Sequence, residues 1–304
     1  MTGPDPARLV SEIRQLKSRE SAVILAHNYQ VPAVYDVADF IGDSLELARR
    51  AQASGARLIV FCGVRFMAET AKLLNPDARV ILARPDAGCE MARMITAEAL
   101  RLKQRELGNA TTLAYVNTPA DVKAEADVCC TSANAVKVAQ SIPPGRRILF
   151  VPDRNLAAYV ARETGRDVVP WEGFCYVHAL FTVEDVARCR KEHPGALVVV
   201  HPECPLDVID AADRVASTSG MLRLAAGHKE LVLGTEAGMC NRVAREYPDC
   251  ECYPLRRTAL CRNMKLTGLE HVLKALEGSS PEIDVPDPVA TRARAALERM
   301  MAVA

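Results

Sequence analysis

An internal repeat of about 86 residues is the feature that most restricts the fold of this chain. Three apolar segments each end in a polar cluster, and the clusters lie 88 and 86 residues apart. They are centred on His27, Tyr115 and His201. A hydroxyl residue that we expect to open a helix follows each cluster 17 residues later. These three residues are Ser44, Ser132 and Thr218.

Short β-branched runs alternate with longer helical patterns throughout the repeat. Seven runs are almost continuously apolar, as are parallel strands covered by helices on both faces. They are "SAVILAH", "ARLIVFCG", "ARVILA", "TTLAYVN", "RRILFVPD", "ALVVVHP" and "ELVLGTE". The alternation indicates strand-helix-strand units. The sequence therefore predicts an α/β fold of three repeated αβα three-layer domains with parallel sheets, arranged around a pseudo-threefold axis.

The repeat also predicts where the domains divide. We place the first αβα repeat at residues 1–107, the second at 108–193 and the third at 194–278. Residues 279–304 form a proline-broken linker and an amphipathic helix. If the three repeats pack around an axis, residues at equivalent positions approach one another there.

Composition narrows the functional classes. Lys and Arg together number 38, as do Asp and Glu, so no excess charge indicates a nucleic acid or an anionic membrane as a partner. No apolar run approaches the roughly 18 residues that a membrane span requires. We therefore expect a soluble cytoplasmic protein, in which cysteines are reduced and serve as buried apolar groups, nucleophiles or metal ligands.

Three of the eleven cysteines follow the repeat. Cys89, Cys175 and Cys261 are separated by 86 residues in both intervals. The other eight have no such partners, and we expect them to be buried structural thiols. Among these eight, the "DCECY" pair Cys250 and Cys252 could be a redox feature, although the other repeats contain no counterpart.

Three equivalent cysteines around one axis predict a metal centre. Thiolates are the usual protein ligands of iron-sulfur clusters, and three of them on a four-iron cluster leave one iron open to act as a Lewis acid. The inorganic alternative is zinc held by the three cysteines with a fourth ligand such as His178. Structural zinc ligands usually come in local pairs, whereas these cysteines extend over 172 residues.

The hydroxyl-rich turns "GDS", "TSAN" and "STSG" predict a pocket for anionic groups, because amides at helix N-termini bind carboxylate and phosphate. Polar side chains near the strand ends and the second cysteine would orient a substrate and move protons. These residues are His27, Tyr29, Tyr115, Asn117, His178, His201 and Glu203.

The motifs together resemble the quinolinate synthase family over residues 26–277. The matching stretches include "AHNYQ", "AGCEMA", "YVNTPADVKAEAD", "CTSANA", "GFCYVH", "HPECP" and "CRNMKLTGLE". The resemblance implies three αβα domains around a 4Fe-4S cluster. It also implies an enzyme of NAD biosynthesis that condenses iminoaspartate with dihydroxyacetone phosphate to give quinolinate, phosphate and water. Functional coupling to an L-aspartate oxidase or dehydrogenase is a further expectation.

The resemblance also assigns residues. The cluster ligands would be Cys89, Cys175 and Cys261. The substrate-binding residues would be His27, Ser44, Tyr115, Asn117, Ser132, His201, Glu203 and Thr218. The catalytic residues would be Tyr29, Tyr115, His178, His201 and Glu203.

Our hypothesis for the mechanism gives these residues separate roles. The open iron would help to expel water, Glu203 with His201 would move protons, and Tyr29 and Tyr115 would assist phosphate loss and tautomerisation. Longer family members carry a cysteine-rich C-terminal extension, whereas residues 279–304 contain no cysteine. We therefore do not expect redox regulation through such an extension.

Two rival classes remain open. One is an iron-sulfur electron-transfer or iron-sensing protein that uses the same three cysteines, although a carrier usually fills every iron position with cysteine. The other is a metal-free binding protein or transferase in which the three cysteines are buried and inert.

Overall fold

The computed structural model describes residues 5–303, in which helices alternate with twelve short strands. The first elements are α1 (Pro6–Arg19), β1 (Ala22–His27), α2 (Pro32–Tyr35), β2 (Phe40–Gly42), α3 (Ser44–Ser54), β3 (Leu58–Cys62), α4 (Arg65–Leu74), β4 (Arg79–Leu82) and α5 (Ala97–Leu107). The next are β5 (Ala110–Tyr115), α6 (Ala120–Ala124), β6 (Val128–Cys130), α7 (Ala135–Ser141), β7 (Arg147–Val151), α8 (Arg154–Thr164), β8 (Val168–Pro170) and α9 (Val183–Glu192). The last are β9 (Leu197–Val200), α10 (Leu206–Ala211), β10 (Arg214–Val215), α11 (Thr218–Ala225), β11 (Glu230–Gly234), α12 (Met239–Glu246), β12 (Glu251–Pro254), α13 (Leu269–Leu276) and α14 (Asp287–Val303).

The strands form three sheets with one topology. The sheet orders are β2-β1-β3-β4, β6-β5-β7-β8 and β10-β9-β11-β12, and every pairing is parallel. In each sheet the chain starts near the centre, forms one edge strand and then crosses back. The predicted α/β class with three repeated parallel units is therefore confirmed.

One aspartate in each sheet repeats with the same hydrogen bonds. The aspartate stands immediately before the second strand of its sheet. Its carboxylate accepts the backbone N–H of a residue in the first strand, and its own N–H donates to the carbonyl of that same residue. The carboxylate bonds are Ile24 to Asp39 (2.8 Å), Thr112 to Asp127 (2.7 Å) and Val198 to Asp213 (2.8 Å). The aspartates are 88 and 86 residues apart, and each one anchors a short edge strand.

The chain divides into two compact units. The first contains the described residues up to Cys89 together with Cys261–Asp287. Its core includes Leu9 and Ile13 of α1 and Val272 and Leu276 of α13, packed with residues of β1 and β3. Helices α3 and α4 contact each other and the strands β1 and β4. This unit therefore consists of helices, a parallel sheet and helices.

The second unit contains Glu90–Leu260 and the described residues from Pro288 onward. It holds the second and third sheets, with α5 against β5 and α6. The predicted C-terminal helix forms as α14, which buries Ala293, Ala296, Leu297 and Met300 along one face. The four predicted segment boundaries and the pseudo-threefold axis stay predictions.

The sequence did not anticipate five of the six edge strands. Seven apolar runs predicted the strands β1, β3, β4, β5, β7, β9 and β11, whereas β2, β6, β8, β10 and β12 contain only two to four residues each. Such short strands are too brief to show a periodicity of their own. Among residues 5–303, no helix is both long and apolar enough to cross a membrane.

Candidate active site

The three repeated cysteines follow loops that are anchored in the same way. In each loop, the residue two positions before the cysteine accepts a hydrogen bond at its backbone carbonyl. The donor is a backbone N–H at or just before the start of the helix that follows the third strand of the same repeat. These bonds are Arg65 N–H to Ala87 O (2.9 Å), Arg154 N–H to Gly173 O (2.8 Å) and Ala237 N–H to Ala259 O (2.8 Å). A short 3₁₀ helix follows each cysteine, at Met91–Met94, His178–Leu180 and Asn263–Lys265. The predicted equivalence of Cys89, Cys175 and Cys261 therefore extends to their local backbone.

These three cysteines are more accessible than most of the other eight. Cys89, Cys175 and Cys261 are partly exposed. Six of the remaining cysteines are buried, namely Cys62, Cys129, Cys130, Cys189, Cys204 and Cys250. Burial raises the pKa of Cys62 and of Cys129 to about 12, which keeps both as neutral thiols at neutral pH. Cys240 and Cys252 are partly exposed, so the prediction that all eight are buried is wrong for these two.

In the second unit, the strand ends bring polar side chains together around Glu203. The Tyr115 hydroxyl at the end of β5 donates to Glu203 Oε1 at 2.6 Å. Glu203 Oε2 lies 3.0 Å from Nδ1 of His178, in the 3₁₀ helix after Cys175. Ligand atoms of Cys175, His178 and Glu203 all lie within 4.8 Å of one another. The carboxyl ends of parallel strands therefore place an acid, an imidazole, a phenol and a thiol at one site.

The two imidazoles of this site are held in fixed orientations. His178 stacks on His201 with ring centroids 4.4 Å apart and planes 13° apart. His178 Nε2 lies 2.9 Å from Oγ1 of Thr235, which directly follows β11. His201 Nδ1 accepts the backbone N–H of Glu203 at 3.4 Å, so a neutral His201 carries its proton on Nε2. Each ring therefore has a defined partner on at least one nitrogen.

Glu203 is an anion stabilised by its neighbours. Its side chain is buried, and burial opposes ionisation. The charges of His178 and His201 and the hydrogen bonds from His178 and Tyr115 outweigh that effect and lower the pKa of Glu203. An ionised Glu203 requires a donor at His178 Nδ1, so the carboxylate selects the protonation of that nitrogen.

A second buried carboxylate has the opposite shift. Asp153 is fully buried, and burial together with the charge of Glu203 raises its pKa well above the usual range. Backbone amides of Leu156 and Cys175 donate to it and oppose that shift. The site therefore contains two carboxyl groups whose surroundings move their pKa values apart, as is typical of sites that transfer protons.

The group of Cys175, His178 and Glu203 could in principle hold a single metal ion. However, both oxygens of Glu203 and both nitrogens of His178 already have hydrogen-bond partners. A mononuclear ion here would have to displace those bonds. The geometry therefore favours a proton-transfer network beside Cys175 over the zinc site that used His178 as its fourth ligand.

The first unit contains the other part of the predicted site. His27 ends β1 and is buried, and its Nδ1 accepts the backbone N–H of Tyr29 at 3.2 Å. The His27 and Tyr29 rings meet edge to face with centroids 4.5 Å apart. Lys265, from the segment after Cys261, donates to the Tyr29 carbonyl. His27, Tyr29 and the Cys261 segment are therefore joined within one unit.

The three predicted anion-binding turns differ from one another. Ser44 and Thr218 are the first residues of α3 and α11, as predicted. Ser132 does not open a helix, because the turn Thr131–Asn134 continues to Ala135, where α7 begins. At α3, Asp43 already accepts the amides of Leu45 and Glu46 at 3.0 and 2.9 Å, so these two amides are not offered to a ligand.

Asn117 carries an unsatisfied acceptor. Its Oδ1 is buried, and no hydrogen-bond partner for this atom is found among residues 5–303. A buried polar atom without a partner is costly and often marks the place of a ligand or water. Asn117 lies two residues beyond Tyr115, so a ligand with an N–H or O–H group could satisfy it close to the Glu203 network.

Sequence reasoning missed Thr235, Asp153 and Asn155. Thr235 contacts His178, Asp153 contacts the Cys175 amide, and Asn155 Nδ2 donates to the Glu203 carbonyl at 3.1 Å. Thr235 directly follows β11 in "LGTEAG", whereas Asp153 and Asn155 lie two and four residues after β7 in "VPDRN", with Asn155 already in α8. The repeat itself could have indicated these residues, because the loops after equivalent strands were expected to meet at one site.

The fold and these groups define a class of protein, an α/β enzyme with a proton-transfer site at the strand ends and partly exposed cysteines on repeated loops. The family model described as Quinolinate synthetase A protein matches residues 11–302. The quinolinate synthase of Methanoregula boonei is 53% identical over 301 residues, which cover 98% of this chain and 99% of that protein. Those of Desulforudis audaxviator and Pyrococcus furiosus are 52% and 48% identical over 297 and 295 residues, covering 97% and 96% of this chain and 98% and 97% of theirs. The chain belongs to the quinolinate synthetase A family.

Proposed function

We propose that this chain is a quinolinate synthase, which condenses iminoaspartate with dihydroxyacetone phosphate to give quinolinate, phosphate and water. The observation that carries the proposal is the buried network of Tyr115, Glu203 and His178 beside the partly exposed Cys175. Family membership over nearly the whole chain supports the same reaction. The conversion is a condensation with eliminations, and its atoms balance without an oxidant.

The donor set fits an iron-sulfur cluster. Cys89, Cys175 and Cys261 would hold it, because they lie after loops with equivalent backbone anchoring and remain partly exposed. Soft thiolates are the ligands that such clusters require. When bound through three cysteines, a 4Fe-4S cluster supplies one open iron that polarises a substrate oxygen or nitrogen as a Lewis acid.

Glu203 would act as the organising anion of the reaction. Its lowered pKa keeps it ionised, so it holds the Tyr115 hydroxyl and the Nδ1 proton of His178 in place. Tyr115 and His178 would then release or accept protons at the carbons and oxygens that change during condensation and ring closure. His201, with its proton on Nε2 when neutral, would supply a second donor beside them.

Binding of the anionic groups would use hydroxyls more than helix amides. Thr218 begins α11, where Ser217 caps the helix by accepting the Gly220 amide at 3.3 Å. Ser44 begins α3, where Asp43 has taken the first amides. We therefore assign the carboxylates and phosphate of the substrates to the hydroxyls of Ser44, Ser132 and Thr218 together with His27.

Asn117 would orient the nitrogen or a hydroxyl of a substrate. Its buried Oδ1 accepts from no described residue, and both an imine or enamine nitrogen and a triose hydroxyl can donate to it. Tyr29, packed against His27, would assist phosphate loss. The supply of iminoaspartate by an L-aspartate oxidase or dehydrogenase and a cytoplasmic location stay predictions.

The direct test is an anaerobic assay of quinolinate formation with iminoaspartate generated in situ and dihydroxyacetone phosphate added. Purified protein with reconstituted iron and sulfide should form quinolinate and release phosphate in equal amounts. The same protein stripped of iron serves as the control and should form none. An iron-loaded protein that forms no quinolinate would contradict the proposal and leave the electron-transfer class as the better reading.

A further inference from the structure

The turn between β7 and α8 is tied to the cysteine loop by Asp153, a side chain to which the proposed function assigns no role. Asp153 caps α8, and its Oδ1 accepts the Leu156 amide at 2.7 Å. Its Oδ2 accepts the amide of Cys175 at 3.1 Å. One fully buried carboxylate thus joins the start of a helix to a cysteine that we assign as a cluster ligand.

The backbone beside this carboxylate is fitted equally closely. Arg154 N–H donates to Gly173 O at 2.8 Å, and Asp153 and Gly173 form a parallel bridge. A Cβ at Gly173 would lie 2.4 Å from the carbonyl oxygen of Pro152, closer than side-chain carbons approach a backbone. The Gly173–Cys175 loop can therefore lie against the turn only because residue 173 is glycine.

The other end of the turn holds the acid of the site. Asn155 Nδ2 donates to the backbone carbonyl of Glu203 at 3.1 Å. The thiol of Cys175 and a carboxylate oxygen of Glu203 lie within 4.8 Å of each other. Three consecutive residues therefore anchor both the peptide of the thiol and the peptide of the carboxylate.

The other repeats carry a different residue at the position of Asp153. The hydrogen bonds of Arg65 and Ala237 to their cysteine loops make Val64 and Glu236 the counterparts of Asp153. Val64 has no acceptor side chain. Glu236 Oε2 accepts Gly238 N–H of its own turn at 2.9 Å. In the second repeat, the residue at this position links the turn to the amide of Cys175, the cysteine beside Glu203.

We propose that Asp153 and Asn155 are positioning residues that fix the distance and orientation between the Cys175 ligand and the Glu203 carboxylate. Asp153 acts through the Cys175 peptide and Asn155 through the Glu203 peptide. Groups that hydrogen-bond to a metal ligand orient that ligand, and their loss typically weakens metal binding about 10–100-fold. The inference rests on the proposed function, because it assumes that Cys175 is a cluster ligand.

The test compares Asp153→Ser and Asn155→Ala in the full-length, anaerobically reconstituted protein. Serine at position 153 has one side-chain oxygen, which can still cap α8 by accepting the Leu156 amide. It lacks the second oxygen that accepts the Cys175 amide in the wild type. We expect Asp153→Ser to lose iron to a chelator about 10–100-fold faster and to change the electron paramagnetic resonance spectrum of the reduced cluster. Asn155→Ala should keep that spectrum and lower kcat about tenfold with little change in KM.

Asp213→Ser is the matched control. Asp213 is also a carboxylate that accepts a backbone amide, from Val198 at 2.8 Å, but it anchors the edge of the third sheet and not a cysteine loop. It should keep the wild-type rate of iron loss even where its thermal midpoint falls. A wild-type spectrum and rate in Asp153→Ser, or an equal effect in Asp213→Ser, would overturn the inference. Wild-type protein that holds no cluster would instead overturn the proposed function, and the inference with it.

Discussion

Replacement of Thr235 by Val tests whether the His178 ring must be held for the site to work. The Thr235 hydroxyl lies 2.9 Å from His178 Nε2, and both side chains are buried. Valine has nearly the same shape but no hydroxyl, so the imidazole loses this partner without a large change in packing. Removal of one partner from a buried hydrogen bond costs about 1–3 kcal/mol.

The same loss should reach the reaction, because His178 would no longer be fixed for proton transfer. If about 1.4–2.8 kcal/mol of that cost falls on the transition state, kcat drops about 10–100-fold. Thr235→Ser is the control, since it keeps the hydroxyl and removes only a methyl group, which costs about 1 kcal/mol of stability.

The assay is anaerobic quinolinate formation, with urea unfolding of each variant measured alongside. We expect Thr235→Val to be slow and Thr235→Ser to keep nearly the wild-type kcat, although both are less stable than wild type. A wild-type kcat in Thr235→Val would refute the view that this contact holds His178 for catalysis. A fall of the same size in both variants would also refute it, because the methyl group and not the hydroxyl would then be responsible.

Three further predictions address the cysteines, a buried carboxylate paired with two partly exposed arginines, and a close backbone contact. Cys175→Ser should abolish the cluster and the activity, whereas Cys189→Ser, at a buried position, should keep both. Equal iron contents in the two purified variants would contradict the assignment of Cys175 as a cluster ligand. Asp185→Asn should destabilise the protein by about 1.5–3 kcal/mol at pH 7, because Arg188 and Arg256 pair with this carboxylate at 2.8 and 2.7 Å. Burial opposes ionisation of Asp185, but the arginines outweigh this effect and lower its pKa. The stabilisation that ionised Asp185 gives the folded protein is therefore complete above the unfolded-state pKa of about 3.9, and it is lost as the pH falls through the lowered folded-state pKa. Urea unfolding of both proteins at pH 7 and near pH 3 should therefore show the difference narrowing in acid, and a constant difference would contradict this reasoning. Gly173→Ala should cost about 1–3 kcal/mol in thermal unfolding because its Cβ would meet Pro152 O, whereas Gly195→Ala, whose nearest neighbouring atom lies at 3.7 Å, should unfold nearly as wild type does. Equal midpoints for these two variants would show that the loop relaxes at no cost.

The repeat allowed much of the fold to be predicted from sequence. The nearly equal intervals of 88 and 86 residues between His27, Tyr115 and His201 predicted three equivalent sheets, and apolar runs marked their central strands. Five of the six edge strands escaped, since two to four residues carry no period of their own; the sixth, β4, was marked by an apolar run. The positions of β2, β6 and β10 were nevertheless encoded, because Asp39, Asp127 and Asp213 precede these strands at the interval of the repeat.

The candidate site was predictable only in part, because several of its contacts join segments that are distant in sequence. Tyr115 ends β5 of the second sheet and Glu203 follows β9 of the third, and their side chains meet at 2.6 Å, as the equivalence of the strand ends suggested. Thr235 and Asn155 act on His178 and Glu203 through such contacts, and no local motif marks them. Ser132 was expected to open a helix, but the Asn134 side chain binds Thr131 N–H and delays the helix to Ala135.

The central claim is that Cys89, Cys175 and Cys261 would hold an iron-sulfur cluster and leave one of its irons open. Mössbauer spectroscopy of protein reconstituted anaerobically with ⁵⁷Fe, before and after addition of quinolinate, tests this claim most directly. We predict the spectrum of a 4Fe-4S cluster in which the signal of a single iron changes when quinolinate binds. Protein that takes up no cluster, or a cluster whose four irons all ignore quinolinate, would contradict the account.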